Sequence, residues 1–206
     1  YLRTYLRNMG FKVEHTFENG SSMDVYAELS NEGSNFWTVN PDYTIISQCQ
    51  VIKNIVVRIT KELDYNYIDI QKQCSVYLKQ LREGIAKIME AGQAPIYIMT
   101  YPYIDMPVFG LHGYKSKETV RTFLLKLRSQ LYSIAQEFDR VYLLDLDIIF
   151  EPHGKSKRVI RPEVTGGHLE TFGAFLMGED FFNQIRSINK SIKRVKCIVL
   201  DCDNTL

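Results

Sequence analysis

Four short apolar runs, set apart by long amphipathic stretches, limit the architecture available to this chain. Pro41-Asp-Tyr-Thr-Ile-Ile46, Pro95-Ile-Tyr-Ile-Met-Thr100, Val141 to Leu146 and Val195 to Leu200 are rich in β-branched and aromatic residues. They read as strands buried on both faces. Between them, Val51–Lys61, Ile68–Met89, Lys117–Phe138 and Thr171–Ile188 carry apolar residues at helical spacing, as in Cys74, Tyr77, Leu78, Leu81, Ile85 and Ile88. Gly92 stops the second of these helices, and Val120, Phe123, Leu124, Leu127, Leu131, Ile134 and Phe138 form the inward stripe of the third. The connections are long enough for crossovers, so the expectation is a mostly parallel sheet with helices on both faces, a three-layer α/β/α sandwich. Leu2 to Met9 reads as a helix, Phe11–Phe17 as a strand, Met23–Leu29 as a short helix, and Gly33–Asn40 as a loop. A helix feeding a parallel strand normally follows an earlier strand, which places one before Tyr1.

An apolar content of 45% is enough for a core, and 25 basic residues against 24 acidic ones leave a net charge of +1. No global field draws this chain to nucleic acid or to an anionic membrane, and no apolar stretch reaches the length of a membrane span. Cys49, Cys74, Cys197 and Cys202 have neither paired metal-site spacing nor the density of a disulfide scaffold, the pattern of reduced cytoplasmic thiols.

The chemistry-bearing pattern is Val195-Lys-Cys-Ile-Val-Leu-Asp201-Cys-Asp203-Asn-Thr-Leu206. Side chains two apart on extended backbone point the same way, so Asp201 and Asp203 aim at one volume beyond the strand's carboxyl end. One carboxylate can attack phosphorus while the other manages the leaving-group proton, and both can ligate a hard cation such as Mg²⁺. An EF-hand start would want Gly where Leu206 stands and Glu six residues later. A strand that merely ends in Asp-x-Asp is the bland alternative, and Leu143-Leu-Asp145-Leu-Asp147, read as a strand end, shows that pattern elsewhere.

Asp201-Cys-Asp203-Asn-Thr205 resembles the first motif of the haloacid dehalogenase (HAD) phosphotransferases. The resemblance implies Asp201 as nucleophile, Asp203 as general acid/base, and Mg²⁺ held by both. That family's hydroxyl residue, lysine and distal acidic pair have no counterpart in this sequence.

Three further segments resemble the SGNH hydrolases, a flavodoxin-like sandwich. Pro41–Ile46 is similar to their central strand and Ile96–Pro102 to the strand before their fourth loop. Gly166-Gly-His168-Leu-Glu-Thr-Phe-Gly173 is similar to their histidine block. The departures are Cys49 and Val51 at the oxyanion positions and Thr165 where an aspartate would orient the histidine. Gln48, Tyr101, Tyr103, Phe109 and His168 are expected around one concavity at the carboxyl ends of the strands. His15, His112 and His153 read as structural or solvated. The basic run Lys155-Ser-Lys157-Arg158-Val-Ile-Arg161 reads as a solvated loop, with contact to an acidic carrier protein or a phosphate as the alternative.

An SGNH-like domain joined to a HAD domain resembles the FkbH-like proteins. The expected organisation is an SGNH-hydrolase-like domain over residues 1–190, then a linker and the first HAD strand and motif over 191–206. The resemblance implies that the parent protein dephosphorylates a glyceryl phosphate donor and loads its acyl group onto an acyl carrier protein. Residues 1–190 would then be an accessory module, inactive alone. The alternative is an SGNH-type esterase or acyltransferase whose serine lies upstream.

Overall fold

The computed structural model describes Arg7, Gly33, Trp37 and residues 41–46, 50–61, 66–102, 119–153 and 171–188. Its strands are β1 (Thr44–Ile46), β2 (Ile96–Met99) and β3 (Val141–Leu144), paired in that order and all parallel. Thr44, Ile96 and Val141 form one row; Ile45, Tyr97 and Tyr142 the next; Ile46, Ile98 and Leu143 the third.

Because side chains alternate along a strand, these rows sort onto opposite faces. Ile46, Ile96, Ile98, Val141 and Leu143 pack with residues of α1 (Gln50–Lys61), α2 (Tyr67–Ala91) and α3 (Val120–Glu137). Ile45, Tyr97, Met99, Tyr142 and Leu144 pack with α4 (Leu146–Phe150) and α5 (Thr171–Ile188). The result is a three-layer α/β/α sandwich.

The helix ends are set by identifiable side chains. Asn66 Oδ1 accepts Ile68 N–H at 3.0 Å to start α2. Thr119 and Thr122 exchange bonds in a capping box that starts α3 at Val120, three residues later than the periodicity suggested. The α2 terminus at Gly92 is not a left-handed glycine cap, since its φ of −160° is extended backbone. Arg140, just before β3, donates to the Gly92 and Met89 carbonyls at 2.9 and 3.2 Å, giving that helix end the cation its own last turn lacks. On the outer surface, Arg82 of α2 and Glu137 of α3 form a two-pronged ion pair.

Three expectations need correction. The run Val141–Leu146 is a strand only to Leu144: Asp145 Oδ1 accepts the Asp147 and Ile148 N–H groups, so a local cap replaces the ladder and Leu146 opens α4. Trp37, read as part of a loop, has helical backbone. Within Pro41–Ile46 only Thr44–Ile46 joins the sheet. The readings for Phe11–Phe17, Met23–Leu29 and Val195–Leu200 lie outside the described residues.

Tyr97 sits at the middle of the central strand and is fully buried. Its ring stacks on Tyr142 at 5.5 Å and meets the edge of Phe181 at 4.8 Å. Among the described residues its hydroxyl has no hydrogen-bond partner, and burial pushes its pKa far up, helped by the neighbouring Tyr43 and Tyr142. An unpaired buried hydroxyl is destabilising. We therefore expect Tyr97→Phe to be neutral or to raise stability by about 1 kcal/mol, whereas Tyr97→Ala should lower it by about 3–5 kcal/mol. Urea denaturation curves of the two variants check both; a loss of more than about 1 kcal/mol in Tyr97→Phe contradicts the assignment.

Candidate functional site

Open parallel sheets place their chemistry beyond the carboxyl ends of the strands. Here the ends of β2 and β3 are tied together. Thr100 N–H bonds to Leu144 C=O at 3.0 Å, and the buried Thr100 Oγ1 accepts Leu146 N–H at 3.0 Å. Tyr101 follows directly, 7% exposed and packed into the α1–α3 core, with its hydroxyl pushed up to about 12 by burial.

One residue past β3, Asp145 is 6% exposed and uses both carboxylate oxygens. Oδ1 caps α4. Oδ2 receives Arg128 Nε at 2.9 Å, Arg128 Nη2 at 2.7 Å and the Tyr132 hydroxyl at 2.6 Å. Arg128 Nη1 reaches Asp147 Oδ2 at 3.4 Å. Burial works against the Arg128 charge, but its interactions with Tyr132, Asp145 and Asp147 outweigh it and raise its pKa. The bond to Asp145, then burial, raises the Tyr132 hydroxyl. With its lone pairs committed to five donors, Asp145 is poorly placed to take a substrate proton; its role is to hold α3 and α4 at the end of β3.

Next to this cluster, a groove of about 380 Å³ runs along β3 between α3, α4 and α5. Ala135, Ile148 and Ile149 supply apolar lining, and Asp180 and Gln184 of α5 supply polar lining. Gln184 Nε2 donates to Asp180 Oδ2 at 2.7 Å and to Leu143 C=O at 3.3 Å. Burial holds the Asp180 carboxyl above the usual carboxylate range, with the Gln184 bond pulling the other way.

Of the residues expected at the mouth, only Tyr101 is among the described residues, and it is buried in the α1–α3 core and is not among the residues that line the groove along β3. Gln48, Tyr103, Phe109, His168, Asp201 and Asp203 lie outside the described residues, as do His15, His112 and the basic run 155–161. His153 is exposed, and its ring meets Phe172 edge-on at 5.6 Å. Among the described residues no group of three or more His, Cys, Asp or Glu side chains could hold a metal ion, and no helix is long and apolar enough to cross a membrane. Arg128 and Tyr132 went unnoticed in the sequence. Their i, i+4 spacing was the available signal, since it puts both on one side of the helix that leads into the Asp-x-Asp strand end.

Removing Arg128 leaves a buried carboxylate without its cation. Arg128→Met should cost about 3 kcal/mol, and Asp145→Asn clearly less, because Asn still caps α4 and Arg128 retains access to water. Urea titrations rank the two variants; equal losses contradict the arrangement. For Asp180, the folded state holds its proton more tightly than the unfolded chain. Its unfavourable contribution is absent below the unfolded carboxylate range and develops as pH rises through the raised folded value. The stability of the native chain relative to Asp180→Asn should therefore fall with rising pH across that window, as followed by thermal melts between pH 4 and 8. A flat difference contradicts the burial of this carboxyl.

Comparison with known proteins places this geometry in a family. No curated protein matches the sequence. The fold is similar, with a TM-score of 0.69 at 19% identity, to the crystal structure of the N-terminal part of the protein BF1531 from Bacteroides fragilis, described as containing a phosphatase domain and complexed with Mg. That likeness covers 98% of this chain and 51% of the other, so this chain spans about half the length of the solved structure. The family model for the FkbH N-terminal domain matches residues 7–168, most of the chain. With a sandwich of this kind and a match of that extent, the chain belongs to the FkbH N-terminal domain family.

Proposed function

We propose that residues 1 to about 190 are the accessory, SGNH-like module of an FkbH-like phosphotransferase in the cytoplasm. Its HAD-type domain begins within 191–206, dephosphorylates a glyceryl phosphate donor and loads the acyl group onto an acyl carrier protein. The observation that carries this reading is the order of parts. An FkbH N-terminal domain over residues 7–168 is followed, after α5, by the run Val195–Leu200 and Asp201-Cys-Asp203-Asn-Thr205. It is further supported by a neighbour of the same fold, twice as long, whose description names a phosphatase domain and Mg.

In this reading Asp201 attacks the phosphorus of the donor as the ester P–O bond breaks, and Asp203 gives the proton that the leaving alkoxide needs. Two carboxylates are a hard oxygen donor set of the kind that Mg²⁺ takes, and Asp201 and Asp203 would hold it. Bound there, the ion would neutralise phosphate charge. The sandwich before this site supplies a rigid platform and docking surface. The Asp145 cluster fits such a role, because its groups are spent on holding helices in place.

The 206 residues alone lack the remaining HAD parts, so they should not turn over an aryl phosphate with Mg²⁺. A longer protein containing them should do so, and Asp201→Asn should lower its rate at least about 10³-fold. Phosphate release from 4-nitrophenyl phosphate measures both. Phosphatase activity of the 206-residue chain that survives Asp201→Asn defeats the assignment of the nucleophile. Hydrolysis of a 4-nitrophenyl ester that disappears in His168→Ala favours the esterase alternative.

A further inference from the structure

The phase of strand pairing shows which backbone groups β3 leaves unused. Ile96 N–H bonds to Arg140 C=O and Thr100 N–H to Leu144 C=O, so residues 140, 142 and 144 turn their amides toward β2. In a parallel ladder the alternate residues, Val141 and Leu143, turn theirs to the outer side. Two of those four outward groups are occupied: Val141 N–H bonds to Phe138 C=O, and Leu143 C=O accepts Gln184 Nε2. Leu143 N–H and Val141 C=O have no partner among the described residues, and both residues line the groove.

That pair selects a geometry. An antiparallel neighbour would need both N–H and C=O of one β3 residue, and Gln184 covers the Leu143 carbonyl. A parallel neighbour needs the C=O of residue 141 and the N–H of residue 143, bonded to a single residue lying opposite Tyr142. The side chain of that residue would share the Tyr142 face of the sheet, toward α5, where Asp180 has Gln184 and, among the described residues, no cation beside it. The residues on either side would point to the opposite face, toward Ala135 of α3, where there is room for small apolar side chains.

We propose that the groove along β3 is a docking site for an extended segment of a partner protein, added parallel to β3, with a lysine or arginine toward Asp180 flanked by small apolar residues. The strand edge supplies affinity through main-chain bonds and Asp180 supplies selectivity for the cation. The site is independent of the loading reaction, so either can fail without the other.

The probe is a capped pentapeptide, acetyl-Thr-Val-Lys-Val-Thr-amide, with glutamate in place of lysine as control, added to the 206-residue chain. Backbone amide shifts and hydrogen exchange are read by NMR. Expected are shifts centred on Val141–Leu144, at least tenfold slower exchange at Leu143 with the lysine peptide, and none with the glutamate peptide. Asp180→Asn should weaken binding at least threefold while leaving the circular dichroism unchanged. No shift along β3 at millimolar peptide, or equal binding of both peptides, overturns the proposal. A Leu143 amide protected without peptide at all protein concentrations also overturns it, since the edge is then covered by this chain itself. Protection that grows with protein concentration overturns it in favour of a second copy.

Discussion

Burial of the central strand on both faces is the constraint from which the rest of the structure follows. β2 pairs on both edges, and its side chains alternate between two cores, Ile96 and Ile98 toward α1–α3 and Tyr97 toward α5. No polar residue is tolerable on such a strand unless it is bonded, because neither face has access to water. Tyr97 departs from that rule at its hydroxyl alone. The aromatic contacts of its ring with Tyr142 and Phe181 compensate, linking β2, β3 and α5 into one packed unit.

Where the strands end, polar groups return and are at once used for structure. Thr100 bonds across to the start of α4, and Asp145 serves both as cap and as the counter-ion of Arg128. Charge buried in this way contributes little net stability compared with apolar packing, but it is sensitive to losing one partner. It makes the rim of β3 stiff, which suits a platform better than a centre that must exchange protons. The same Asp-x-Asp spacing thus serves two purposes. At 145 and 147 it faces an arginine and caps a helix, whereas for 201 and 203 we propose attack on phosphorus.

The groove beside this rim exists because β3 has no further strand on its outer side among the described residues and because α5 lies against it through Gln184 rather than through apolar packing alone. A parallel edge is normally closed by another strand or covered by side chains. Among the described residues the cover is partial, and the groups left uncovered are those that suit a parallel neighbour.

The four amphipathic helices of the described core were legible in the sequence to within three residues at each end. Each stripe is long enough for the 3.6-residue period to show, and Thr171–Ile188 matched at both ends. The strands were legible as buried apolar runs; the SGNH resemblance was carried by short motifs around residues 41–46, 96–102 and 166–173, and the FkbH resemblance by the join from Ile188 to Leu206. What the sequence could not supply was any fact that depends on two elements meeting. Asp145 looked like a strand end because only the Asp147 and Ile148 amides, and Arg128 seventeen residues back, reveal it as a cap and ion-pair partner. Gln184 and Asp180 were not singled out in the sequence, and their place beside the edge of β3 follows from how α5 packs. Periodicity reports which side of an element is buried; the partner across the interface is decided by the chain's path in three dimensions, and only the tertiary structure contains it.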